Sequence, residues 1–225
     1  MASESLTSEY SLGEEIAHAV THGIGAALSI AGLAVLVAFA TRYGNAWHIT
    51  SSSIYGATLI LCYTASTLYH SIPHPRAKRI LRQIDHATIF LLIAGTYTPF
   101  ALVSMRESWG WWLFGTVWSI AIVGMIFELF TEQRYQRVSL ALYLGLGWLA
   151  LAAIKPMLEA IGLEGLTLLV IGGLFYSLGV IFYAWERLAY HHAVWHLFVL
   201  AGSIFHFFAV LFYVIPDTYW LTIPR

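Results

Sequence analysis

Seven apolar runs follow one another with little chain between them: residues 18–40, 49–70, 85–104, 109–130, 138–154, 166–185 and 192–214. Each is about 17–23 residues long, enough for a helix to cross a hydrocarbon core of roughly 30 Å. In lipid, the backbone polar groups of such a run must be satisfied within the run itself, which makes it helical. Only 10% of the residues are charged and 59% are hydrophobic, whereas an ordinary soluble domain has about 25% charged residues. The expected architecture is therefore an all-α integral membrane protein, a bundle of seven transmembrane helices in one domain over residues 1–225. All linkers are short, and no soluble domain fits beside the bundle. Small residues are abundant in the runs and suit close helix packing in lipid. Pro99 is expected to kink the third helix.

Charge limits both the partners and the topology. The net charge is -1 and there is no basic tract, so nucleic acid is not an expected partner. Cys62 is the only cysteine, which excludes an intrachain disulfide. The polar, acidic stretch 1–15 lacks the basic start of a signal peptide, so the first helix is expected to remain as an anchor. Seven spans put the termini on opposite sides. Arg76, Lys78, Arg79, Arg82, Arg134, Arg137 and Arg187 fall on the N-terminal side, against Arg42, Arg106, Lys155 and Arg225 on the other. The positive-inside rule then places the N-terminus in the cytoplasm and the C-terminus outside. Trp109, Trp111, Trp112, Trp185, Trp195 and Trp220 lie near run ends, as interfacial belts require.

Ionisable groups inside such helices are expensive and mark function by default. His192 and His196 are four apart at the start of the seventh run, so they share one helix face and form a ready chelate for zinc. His70 ends the second run and Asp85 begins the third. His18 and His22 open the first. All of these belong to one leaflet, a layer that random placement would not produce. His70, His192 and His196 supply three neutral nitrogens for Zn2+. Asp85 can act as a fourth ligand or hold the metal-bound water. Ser66, four residues before His70, reaches the same cavity. A three-histidine zinc lowers the pKa of its water to about 7, and the hydroxide can attack an amide or ester carbonyl with Asp85 as base.

Each residue also has a plainer reading. The histidines can snorkel to the interface, Asp85 can be a helix N-cap, and Ser66 can be a small packing residue. Glu15 and His22 are expected to support the site rather than bind the ion directly. His206, about 15 Å deeper than His196, reads as a hydrogen-bonded interior histidine. His191 and His86 are expected to face the interface, His48 and His74 to be exposed, and Glu128 to pair with Arg134 or Arg137.

Four pieces carry a family resemblance. They are Glu15-Ile16-Ala17-His18-Ala19-Val20-Thr21-His22-Gly23, Ser66-Thr67-Leu68-Tyr69-His70, Asp85-His86, and His192-Ala193-Val194-Trp195-His196. In this order the chain resembles the hemolysin III family, the bacterial branch of the progestin and adipoQ receptor proteins, themselves related to alkaline ceramidases. The resemblance implies seven helices with a cytoplasmic N-terminus, in the cytoplasmic membrane of a bacterium. It implies zinc held by His70, His192 and His196, with Asp85 and Ser66 at the metal-bound water. A long receptor-type N-terminal region is missing, so a hormone-receptor role is not implied. The family also carries a cytolysin label, although no amphipathic pore-forming segment stands out.

Three functions follow. The first is a zinc-dependent hydrolase of a lipid amide or ester, with membrane lipid as its partner. The second is a non-enzymatic membrane sensor or homeostasis factor with a structural zinc between helices two and seven. The third is a channel or transporter, against which the one-leaflet confinement of the polar layer argues. Composition and spacing do not set the oligomeric state.

Overall fold

The computed structural model describes residues 10–131 and 134–215, and every regular element among them is helical. Helix α1 (Leu12–Tyr43) has 32 residues, about 48 Å at 1.5 Å per residue. Ser11 caps it: the Glu14 N–H donates to Ser11 Oγ, and the Ser11 N–H donates back to Glu14 Oε2 at 3.0 Å. That reciprocal box satisfies two otherwise orphaned donors. Asn45 caps α2 (Ala46–Ser71), accepting from the Trp47 N–H at 2.9 Å.

Helix α3 (Pro75–Pro99) begins ten residues before the expected start. Proline suits the first helical position, where its missing N–H is not needed. Arg76, Lys78, Arg79 and Arg82 therefore lie on helix rather than loop, and Asp85 sits well inside α3 and cannot be its N-cap. Pro99 cannot donate to its own turn. The chain widens there into a π-helix over Phe100–Ser104, closed by the Met105 N–H on the Phe100 carbonyl at 2.9 Å.

Helix α4 (Gly110–Thr131) is followed by α5 (Gln136–Gly147), a 3-10 segment (Trp148–Ala153) and α6 (Ile154–Ala184). Tyr97 stitches the tightened 3-10 turn. Its hydroxyl donates to the Gly147 carbonyl at 2.7 Å and accepts from the Ala150 N–H at 2.8 Å. Pro156 lies just past the expected end of the fifth run at residue 154, yet the helix continues through it, because it falls in the first turn of α6, where no donor is lost. The break comes instead at Gly162, with φ 69 and ψ 178, a conformation glycine adopts without steric cost. Helix α7 (His191–Tyr213) is entered through Tyr190 in the left-handed region, its N–H held by Glu14 Oε1 at 3.2 Å.

Five helical stretches among the described residues are long and apolar enough to cross a membrane: Leu12–Tyr43, Pro75–Ser104, Gly110–Thr131, Gln136–Ala184 and His191–Tyr213. This is an all-α membrane protein. Two features separate five from the expected seven. The stretch 136–184 is one run of 49 residues interrupted at Gly162. Helix α2 is long enough but carries Ser51, Ser52, Ser53, Thr58 and three tyrosines.

Helix α1 packs against α2 and α7, α2 against α3, α3 against α4 and α5, and α6 against α7. Within the apolar 18-residue window of each stretch, 72% of the residues are buried in α3 and 17–39% in the other four, so α3 is the enclosed member. Small residues permit the close crossings. A methyl group at Gly25 would lie 2.6 Å from the Tyr63 ring, and one at Gly202 2.9 Å from Tyr176. Trp109, Trp111, Trp112 and Trp185 are exposed at helix ends, whereas Trp195 faces inward against His192, and Trp220 lies outside the described residues.

Candidate metal centre

Three histidines converge at one end of the bundle. His70 comes from the last turn of α2. His192 and His196 come from the first two turns of α7, where an i, i+4 spacing puts both on one face. All three are buried, and one ligand atom from each lies within 4.8 Å of those of the other two, a group able to hold a metal ion. Their Nε2 atoms have no hydrogen-bond partner.

Their other nitrogens are all held by α1 or by Tyr10, two residues before it. His70 Nδ1 meets Glu15 Oε2 at 2.7 Å, His192 Nδ1 meets the Tyr10 hydroxyl at 3.2 Å, and His196 Nδ1 meets Thr21 Oγ1 at 3.1 Å. One of these bonds dictates the tautomer. Glu15 is paired with Lys78 at 2.7 Å, so as a carboxylate it only accepts, and His70 Nδ1 is the donor. Its Nε2 is left as a bare acceptor. The Thr21 hydroxyl also reaches the Ala17 and His18 carbonyls, at 2.8 and 2.9 Å, so a proton on His196 Nδ1 leaves Thr21 free to donate to either. A buried acceptor without a partner is costly, and a cation answers all three at once. Backing each ligating imidazole through its far nitrogen is how metal sites fix ring orientation. The residues present therefore fit a divalent ion such as zinc.

Around this group lie the other polar residues of the layer. His18 is fully buried, with neither ring nitrogen hydrogen-bonded, and shares a second metal-capable group with Glu15 and His70. His22 stacks flat on His196, with centroids 3.4 Å apart and planes at 10°. Ser66 and Asp85 are buried side by side, although the Ser66 hydroxyl meets no partner in hydrogen-bonding geometry. Asp85 belongs to neither metal-capable group. Instead it lines, with His22 and Cys62, an apolar cavity of about 140 Å³. Ile89, Ile93, Tyr143, Tyr176, Trp195 and Val199 form much of its wall, and His206 lines it as well. A second cavity of about 80 Å³ shares Thr96, Tyr97, Trp148 and His206 with the first and reaches Met157 and Leu166.

Several placements differ from expectation. His191 and His86 are buried, not interfacial: His191 Nδ1 lies 3.2 Å from the Phe182 carbonyl. Glu128 is buried and takes a hydrogen bond from the Ser139 hydroxyl. His206, by contrast, is the hydrogen-bonded interior histidine expected, its Nε2 donating to the Leu169 carbonyl at 3.1 Å. Tyr10, Thr21 and Lys78 are part of the site's support and went unrecognised in the sequence. The signal for the α1 contribution was present. Glu15, His18 and His22 recur at the spacing of one helix face, and the buried residues of α1 continue that stripe through Gly25 and Ser29.

The haemolysin-III-related family pattern matches residues 10–207. Hemolysin-3 of Bacillus cereus is 48% identical over 203 residues, covering 90% of this chain and 93% of that protein. A Hemolysin-3 homolog of Bacillus subtilis (strain 168) is 48% identical over 206 residues, covering 92% and 97%. The human Monocyte to macrophage differentiation factor is 28% identical over 214 residues, covering 89% and 84%. The matched region contains every residue of the histidine cluster, and this chain belongs to the haemolysin-III-related family.

Proposed function

We propose that this protein is a zinc-dependent hydrolase of a lipid amide or ester, with Zn2+ held by His70, His192 and His196. The observation that carries the reading is the three buried Nε2 atoms without a partner, next to an apolar cavity lined by Asp85 and by His22, which stacks on His196. In this reading the chain forms one domain of seven spans, with α2 and the two halves of 136–184 counted separately. Its N-terminus is cytoplasmic, and the site opens to the inner leaflet of a bacterial cytoplasmic membrane.

A zinc ion in this place would supply Lewis-acid activation of water and of a carbonyl. The chain's own residues do the rest. The cavity walls take the acyl portion of a lipid and exclude bulk water. Asp85, in the cavity wall, takes the proton of the attacking water and returns it to the leaving amine or alcohol. Ser66, beside Asp85, orients the carboxylate or the lipid carbonyl. The hemolysin name of the Bacillus relatives suits a protein that acts on membrane lipid.

The test is turnover of acylated lipids by purified protein in lipid nanodiscs, zinc-loaded and chelated, followed by mass spectrometry. Release of fatty acid that needs both zinc and Asp85 is expected. Zinc-loaded protein inert towards N-acyl and O-acyl lipids alike would remove the hydrolase. A second reading, a structural zinc clamp in a sensor, draws support from the separation of Asp85 from both metal-capable groups.

A further inference from the structure

His18 presents a buried imidazole whose two nitrogens both lack a hydrogen-bond partner, in the second turn of α1 against the metal-capable group. Neutral imidazole carries one donor and one acceptor, and burying both unmet is costly. Something must answer that cost, and the ring's position indicates what.

The His18 centroid lies 4.6 Å from that of His70, 4.8 Å from His192 and 5.5 Å from His196. The other three centroids are 5.2, 5.3 and 4.6 Å from one another. Four rings whose six separations are all alike stand at the corners of a tetrahedron. Zinc–nitrogen bonds of 2.0–2.1 Å in tetrahedral geometry put imidazole centroids about 3.2 Å from the ion and about 5.2 Å from one another. The observed set scatters around that figure. A half-turn of an imidazole about its Cβ–Cγ bond exchanges nitrogen and carbon edges without moving the centroid. The centroids therefore carry the geometry whichever edge faces inward.

We propose that His18 is the fourth ligand of a single ion, closing the shell formed by His70, His192 and His196. This rests on the metal reading of those three residues and deepens it. The alternative is a separate ion at Glu15, His18 and His70. That ion would compete for the Glu15 carboxylate that accepts from His70 Nδ1, and would sit beside the Lys78 ammonium, which already lies 2.7 Å from Glu15. One four-imidazole ion leaves both of those bonds intact. A closed shell has no vacant position, so the resting centre is latent, and the His18 ring must swing aside before a lipid carbonyl reaches the site.

Cobalt(II) substitution tests this without reference to activity, because d–d bands report the donor set. Purified wild type, His18→Ala and His192→Ala are loaded with cobalt in detergent, counted per chain, and titrated with imidazole and azide. One cobalt per wild-type chain is expected, with bands that neither reagent moves. His18→Ala is expected to keep one cobalt, bound at least about tenfold more weakly, with bands that imidazole shifts back towards those of wild type. His18→Asn, which keeps a polar side chain of similar size, serves if the alanine variant fails size-exclusion chromatography. Wild-type bands that move with azide or imidazole as the variant's do would overturn the fourth ligand, as would two cobalt ions per chain. Equal cobalt binding by wild type and His192→Ala would instead remove the three-histidine site, a failure recognisably different from that of His18 alone.

Discussion

Glu15→Gln isolates what the backing carboxylate contributes to the metal centre. Glu15 is buried, accepts from His70 Nδ1 at 2.7 Å and is paired with Lys78 at the same distance. The glutamine keeps the shape and removes the charge. Loss of such an outer partner typically weakens a metal site 10–100-fold, or about 1.4–2.7 kcal/mol. Two considerations push this case towards the upper half of that range. A charge-assisted hydrogen bond is roughly twice as strong as a neutral one. The amide also leaves the Lys78 ammonium uncompensated near an imidazole that must stay electron-rich. A zinc Kd raised by about 30–100-fold is expected. Thr21→Val, which removes a neutral partner of His196, should cost no more than about tenfold. Competition with a chromophoric chelator, using folded protein in detergent micelles, measures both. If Glu15→Gln binds zinc within about twofold of wild type while His192→Ala loses it, the carboxylate does not tune the ligand and the reasoning fails.

Asp85→Asn should keep the ion and lower lipid hydrolysis at least about a hundredfold, the loss of a general base; loss of the ion instead would make Asp85 a ligand. Tyr97→Phe strands the Gly147 carbonyl and the Ala150 N–H, at about 1–3 kcal/mol per group. A melting temperature lowered by at least about 4 °C is expected, and an unchanged one would mean that the 3-10 segment needs no stitch. Gly25→Leu drives its side chain into the Tyr63 ring, which cannot retreat freely because its hydroxyl donates to Ser203 Oγ at 2.7 Å. Overpacking of about 1–3 kcal/mol should lower thermal stability and spare zinc affinity; full stability would show that α1 and α2 can separate.

Hydropathy made the helices legible but not their ends. Residues 75–84 are polar and basic, so they read as loop, yet Pro75 starts a helix whose first turns carry those charged side chains. Pro156 looked like a terminator because its position in a first turn cannot be known before the 3-10 segment is seen. The shared depth of His70, His192 and His196 was readable from their places near run ends, and the structure brings them together. Their lateral proximity was not readable, since it depends on α7 packing beside α1. Tyr10 and Thr21 carry no metal-ligand signature of their own. Only the bonds they make to histidine nitrogens reveal them.

Tyr10 and His192 are separated by 182 positions in the chain, and Thr21 and His196 by 175. The pieces that complete the centre are thus among the first and the last of the described chain to leave the ribosome. If the cluster holds an ion as proposed, that ion can be captured in full only after α7 has packed beside α1. Metal occupancy would then double as a record of that packing, and a chain stalled before α7 would present His18 and His70 without the pair that completes the group.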